Sequence, residues 1–194
     1  MIMKLARYVI VYSLFAAFPS LVSAADPATV LKGFVAGDLA RIAARAEVIA
    51  AIRARNLVTG SDGADQIAAA DSAWRAELGQ TEMPTITPIV SSAASALLQA
   101  EVDGSGGLIA EIFLMDAQGL TAAASGATSD FWQGDEAKFT DTFGKGAGAY
   151  LIGAVEFDDS TQTHSALVSA VVPDPESGLP ISAISSSVNA EFLN

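Results

Sequence analysis

The sequence predicts an α+β fold in which helices come first and an antiparallel meander follows. Apolar residues recur at three- and four-residue spacing through the first half of the chain, the period of a helix face. From Leu108 onward the pattern changes to short apolar runs separated by Gly, Pro and Asp turns, the mark of strands. Element types segregated in this way pack as separate layers rather than as alternating βαβ units. No internal repeat is apparent, and the abundance of alanine reads as small-residue packing.

The first residues hold two cations, Lys4 and Arg7, then the apolar run Tyr8 to Phe18 and the small-residue pattern Val22-Ser23-Ala24. Residues 1–25 therefore read as a secretory signal peptide. A retained anchor is the other reading, although Pro19 and Ser20 interrupt the apolar stretch. Residues 26–194 read as a single domain, with a helical part over 26–104 and a sheet over 105–194. Cysteine is absent from the 194-residue chain, so no disulfide framework or thiol chemistry enters. The net charge of −12 becomes −14 once Lys4 and Arg7 are removed, which disfavours nucleic acid and anionic lipid as partners. Such a charge suits the solubility of an exported, periplasmic or secreted protein.

Asp26-Pro27 supplies a cap and a first-turn proline, after which Val35, Leu39, Ile42, Ala46 and Ile49 form one apolar stripe of a long helix. That stripe serves either a homodimer seam or packing on the chain's own sheet. Arg53 and Arg55 fall at its end, where cations favour the negative pole of the helix dipole. Thr59-Gly60-Ser61-Asp62-Gly63 breaks the pattern, and Ala64 to Leu78 forms a second helix with Ile67, Ala70, Trp74 and Leu78 on one face. Pro84 and Pro88 indicate an extended connection, and Ser91 to Val102 a third helix. Strands are expected over Leu108–Met115, Leu120–Ala124, Ala149–Phe157, Ser165–Val172 and Pro180–Val188.

Between the second and third strands lies an insertion, Ser125 to Lys145, which concentrates Phe131, Trp132, Phe139 and Phe143. Its core, Ser129-Asp130-Phe131-Trp132-Gln133-Gly134-Asp135-Glu136, followed later by Glu156-Phe157-Asp158-Asp159-Ser160-Thr161-Gln162-Thr163, resembles the extracytoplasmic Cache (PDC, PAS-like) sensor family. The likeness runs from Leu31 to the C-terminus. It implies a five-stranded antiparallel sheet backed by a long N-terminal helix, along which such sensors pair, with the insertion covering one sheet face.

An apolar wall with a few fixed polar groups is what a small-molecule pocket needs. The candidate ligand-binding residues are Ser125, Ser129, Asp130, Phe131, Trp132, Lys138, Tyr150, Glu156 and Asp158. A structural role competes at several of them: Asp130 as a helix cap, Phe139 and Phe143, four residues apart, as core. Amino-acid-binding members of the family resemble this region but carry Arg, then after one residue Trp-Tyr, where this chain has Glu136, Lys138 and Phe139. The fork that clasps a carboxylate is missing, so the acidic groups point instead to a cationic ligand such as an amine, with Trp132 placed for a cation–π contact.

Glu156 to Gln162 clusters oxygen atoms but lacks the spacing and central glycine of a calcium loop, and reads as a hairpin tip stitched by Asp and Ser side chains. His164 is the lone histidine, and no nucleophile elbow, zinc pair or phosphate-cradling loop is present; Gly144-Lys145-Gly146-Ala147-Gly148 precedes a strand, not a helix. No catalytic residue, metal or cofactor is assigned. The expected function is an exported small-molecule sensor that relays occupancy to a membrane receptor or histidine kinase. The alternative is a ligand-free interaction module on the same fold.

Overall fold

A computed structural model describes residues 26–158 and 163–193. The expected signal peptide and the expected tip over 159–162 lie outside the described residues. Pro27 occupies the first position of α1 (Pro27–Phe34), where its fixed φ suits a helix and its missing N–H would have had no partner. The chain continues through a π turn, Val35–Leu39, into α2 (Ala40–Ala43), then becomes extended at Arg45 before α3 (Ala46–Thr59) begins. The single long helix of the sequence reading is thus broken. Ala46, on the expected stripe, is exposed, whereas Val48, off it, is fully buried. The widened turn and the break rotate the buried face between the two halves, which a constant helical period cannot reveal.

The stripe packs on the chain's own sheet. Leu31, Val35, Leu39, Ile42, Val48, Ile49 and Ile52 share one core with Leu98, Ile112, Leu114, Val168 and Ile184. The apolar face considered for a homodimer seam is therefore occupied from within. Two ion pairs fasten this layer: Arg41 clasps Glu101 through two hydrogen bonds of 2.9 and 2.8 Å, and Arg53 reaches Asp174 at 2.5 and 3.0 Å. The Arg53 guanidinium, with the Ser177 and Glu176 N–H groups, holds the Asp174 carboxyl well below the usual carboxylate range.

The second helix forms as expected, as α4 (Ala64–Glu77), with Trp74 fully buried and Ile67, Ala70 and Leu78 packed around it. The connection at Pro84 and Pro88 is not extended; it holds the short α5 (Ile86–Val90). Glu77 makes that turn stable by accepting from the Thr85 and Ile86 N–H groups at 2.7 and 3.0 Å, and Pro88 sits in the first turn, where an N–H has no helical partner. Because the cap comes from another helix, local sequence could not disclose it. Then α6 (Ala93–Gly104) starts at Ser92, whose hydroxyl accepts from the Ser95 N–H at 3.1 Å.

Five strands follow: β1 (Ile109–Met115), β2 (Thr121–Ala124), β3 (Tyr150–Asp158), β4 (Thr163–Pro173) and β5 (Pro180–Asn189). They form one antiparallel sheet in the order β2-β1-β5-β4-β3. The α+β class with helices on a five-stranded antiparallel sheet is the observed fold. Side chains alternate between faces. Ile112, Leu114, Val168 and Ile184 face the helices, while Glu111, Phe113, Leu167, Ser169, Ser185 and Ser187 share the other face, as the pairings Phe113 with Ser185 and Glu111 with Ser187 require.

The β1–β2 turn is tied to the helical layer. Asp116, with no solvent exposure, accepts from the Gln118 and Leu120 N–H groups at 2.9 Å each and from the Thr59 hydroxyl at 2.7 Å. Gly119 adopts φ 82°, and a Cβ there would stand 2.4 Å from the Gly134 Cα. Only glycine lets the insertion return so close to this turn.

Trp74 stacks on Phe131 with ring centroids 4.9 Å apart and donates its indole N–H to the Thr128 carbonyl at 2.8 Å. Replacing it with alanine removes both contacts from a closed site. We expect Trp74→Ala to lose about 3–5 kcal/mol in urea unfolding. A loss below about 1 kcal/mol would mean that α4 is not fastened through this side chain.

Candidate functional site

The insertion lies on the sheet face opposite α1–α3, and the way it is anchored determines what remains open beneath it. Asp71 of α4 accepts from the Phe131 and Trp132 N–H groups through one oxygen, at 2.8 and 3.0 Å, and from Arg75 through the other, at 2.7 Å. Arg75 also reaches Asp130 at 3.3 Å. Burial opposes ionisation of Asp71, but the Trp132 N–H, the Arg75 guanidinium and the Phe131 N–H outweigh it and keep the carboxyl below its ordinary range. The Trp132 indole N–H is spent on the Gln118 carbonyl at 2.9 Å, and Leu120 bridges to Trp132 as an isolated strand pair.

From Asp130 the network runs inward. The fully buried Gln133 donates its amide to the Asp130 carbonyl at 3.0 Å and to the Asp130 carboxylate, and its amide oxygen accepts from Lys138 Nζ at 2.6 Å. Lys138 also pairs with Glu136 at 3.0 Å and stands 5.2 Å over the Phe113 ring. On the same side Phe139 and Phe143 meet at 5.2 Å and pack against Phe113, Met115, Ala124 and Ala183. These two aromatics belong to the core, the structural role weighed for them from the sequence.

Between the insertion and the sheet runs a groove made of two adjoining cavities. The upper one, about 280 Å³, lies between α6, β1 and the segment Ser125–Ser129, with Gln133 and Lys138 at its side. The lower one, about 340 Å³, continues over β1, β5, β4 and β3, past Ser187, Ser165, Leu167, Glu156 and Phe157. Glu111, Phe113, Ser129 and Lys138 line both.

Of the nine candidate residues, Ser125, Ser129, Lys138 and Glu156 come together along this groove. Asp130, Phe131 and Trp132 do not line it: Asp130 faces Arg75 and Gln133, Phe131 is buried on Trp74, and Trp132 braces the β1–β2 turn. Tyr150 lines a different cleft, between α1 and the β3–β4 edge. For Asp158 only the backbone, at the end of β3, is described. The sequence reading missed Glu111, Phe113 and Gln133. The strand period was the available signal for the first two, since the register that faces Phe113 outward also brings Glu111 to that face. Gln133 carried no such signal. His164, an exposed residue near the start of β4, sits edge-on to Phe157 with ring centroids 5.3 Å apart.

No family model matches the chain, and no curated protein matches it. Among solved structures it is similar to the ligand-binding domain of the Campylobacter jejuni chemoreceptor Tlp3 in complex with 4-methylisoleucine, at 10% identity and a TM-score of 0.42 over 92% of this chain and 65% of that one. It is also similar to the sensor domain of the V. cholerae histidine kinase DctB, at 11% identity and a TM-score of 0.40 over 85% of this chain and 58% of that one. A third is the ligand-binding domain of the Pseudomonas aeruginosa PAO1 amino acid chemoreceptor PctC in complex with GABA, at 13% identity and a TM-score of 0.41 over 82% and 62%. The chain thus spans less than two thirds of the length of each of these sensory domains.

The depressed Asp71 pKa has a definite sign. A carboxyl ionised more readily in the folded state contributes stability above its unfolded pKa of about 3.9, and that contribution is lost as pH falls toward the folded value. Asp71→Asn should therefore be less stable than wild type near neutral pH, with the gap narrowing on acidification below about pH 4. The Phe131 and Trp132 amides should exchange faster in the variant. A gap that is constant with pH would contradict the ionised tether.

Proposed function

We propose that this chain is an extracytoplasmic sensor domain of the Cache type that binds a small polar ligand carrying an amino group in the groove between sheet and insertion. The observation that carries this reading is the charge arrangement of the groove. Its cation, Lys138, is already engaged by Glu136 and Gln133, while the exposed Glu156 also lines it, so the groove favours a positive guest. Phe157, 53% exposed along the lower cavity, offers a ring face for an ammonium. That role was expected of Trp132, whose indole is turned to the β1–β2 turn and leaves it to Phe157. Serine hydroxyls at 129, 165 and 187 add hydrogen-bonding positions that fix orientation.

Occupancy is read out through the connected hydrogen bonds from Lys138 by way of Gln133, Asp130 and Arg75 to Asp71 on α4. A guest that changes the partner of Lys138 acts on the docking of the insertion, and can shift a two-state equilibrium only by its differential affinity for the two states. The signal then passes to a membrane receptor or histidine kinase. Export with removal of residues 1–25 belongs to the same proposal.

The test is a thermal-shift screen of primary amines, amino acids and organic acids on the purified protein. An amine at about 100 times its dissociation constant should add about 2.7 kcal/mol of stability, a shift of several degrees for a domain of this size. Glu156→Gln should weaken that amine about twofold to fivefold. A hit unaffected by Glu156→Gln and by Phe157→Ala would overturn the assignment to this groove. A flat screen would favour the interaction module, with Leu57 and Val58, 88% and 67% exposed at the end of α3, as its contact surface.

A further inference from the structure

A third cavity, of about 360 Å³, lies away from the groove, in the seam between α1 with its π turn and the paired β3–β4 edge. Val35, Ala36 and Ala170 make its apolar walls, the β4 backbone at Val171 borders it, and Lys32 and Tyr150 stand along it. No aspartate or glutamate among the described residues lines it. Lys32 has no carboxylate partner among the described residues, whereas every other described lysine or arginine pairs with one or, for Arg55, lies over the Phe131 ring. Tyr150 is half exposed, and its hydroxyl has no hydrogen-bond partner among the described residues. In a chain of net charge −12, an uncommitted cation beside an uncommitted phenol is a local reversal of charge. Both groups donate hydrogen bonds, and the walls between them are apolar.

We propose that this cleft is a second binding site, separate from the amine groove, for a small amphipathic carboxylate whose alkyl chain lies on Val35, Ala36 and Ala170 and whose carboxylate meets Lys32 and Tyr150. The volume falls in the range of small-ligand pockets. The chemistry is opposite to that of the groove: apolar walls with donors here, carboxylates and hydroxyls there. Because α1 forms one wall and β3 the other, a ligand in the seam would join the N-terminal helix to the edge strand of the sheet.

The experiment is an isothermal titration of the purified protein with the straight-chain series butanoate, hexanoate and octanoate, supported by amide NMR shifts. Affinity should rise about fourfold for each methylene buried until the seam is full. Shifts should centre on residues 32–36 and 150. Lys32→Glu should weaken octanoate about fivefold or more, and octanol should bind correspondingly less well than octanoate. Ala36 is solvent-exposed, so Ala36→Trp fills the seam without disturbing the core and should abolish binding. Ser129→Trp, which fills the groove instead, should leave octanoate binding intact, so failure of the amine reading and failure of this one are separable. The proposal is overturned if no saturable binding occurs along the series, if octanol matches octanoate, if Lys32→Glu and Ala36→Trp bind like wild type, or if Ser129→Trp removes binding.

Discussion

One carboxylate on α4 sets the position of the whole insertion. Asp71 satisfies two consecutive backbone N–H groups, at Phe131 and Trp132, that the loop cannot pair internally, and a paired Arg75 keeps it ionised. Buried backbone donors must be matched, so this contact fixes the height of the segment above the sheet. Trp74, one turn away on the same helix, adds the stacked Phe131 ring and the bond to Thr128. With Phe131 drawn toward α4 and Phe139 and Phe143 down onto the sheet, the groove remains as the space between the two anchor points.

The same geometry explains the polarity of the site. The sheet face under the insertion carries a serine-rich surface: the Ser169 and Ser185 hydroxyls meet at 2.6 Å, and Ser187 and Ser165 continue toward the lower cavity. Small hydroxyl side chains keep the floor wide and wettable, in contrast to the Ile and Val that fill the opposite face. A face packed with branched residues would have collapsed onto the loop. Lys138, anchored by Gln133, Glu136 and the Phe113 ring, marks the boundary between the packed end of this face and the open one.

The helical layer is held by longer-range constraints. Asp116 joins the β1–β2 turn to Thr59 at the end of α3, Asn56 accepts from the Ala117 N–H at 2.7 Å, and Arg53 and Arg41 pair with Asp174 and Glu101. These contacts link residues some sixty to one hundred and twenty positions apart. They also account for the break at Arg45, because α1 and α3 are each aligned by different parts of the sheet and connected by a turn that accommodates both.

Much of the fold was legible in the sequence because its signals are local and periodic: the strand boundaries, α4 with its Trp74 face, and the insertion between β2 and β3 follow from spacing and turn residues alone. Composition likewise determined the acidic surface and the absence of thiol chemistry. The break in the N-terminal helix and the turn of α5 were decided by tertiary partners, the sheet beneath one and the Glu77 carboxylate beside the other. The site divided in the same way. Ser125, Ser129, Lys138 and Glu156 reach one groove because they lie on the strand face and loop that the period indicates. Trp132 and Phe131, the most conspicuous residues of the motif, turn away, since an aromatic next to a helix with an unfilled face gains more by burial there than in an open cavity. Which side of a loop faces inward depends on the surface against which it packs, and that surface exists only once the chain has folded.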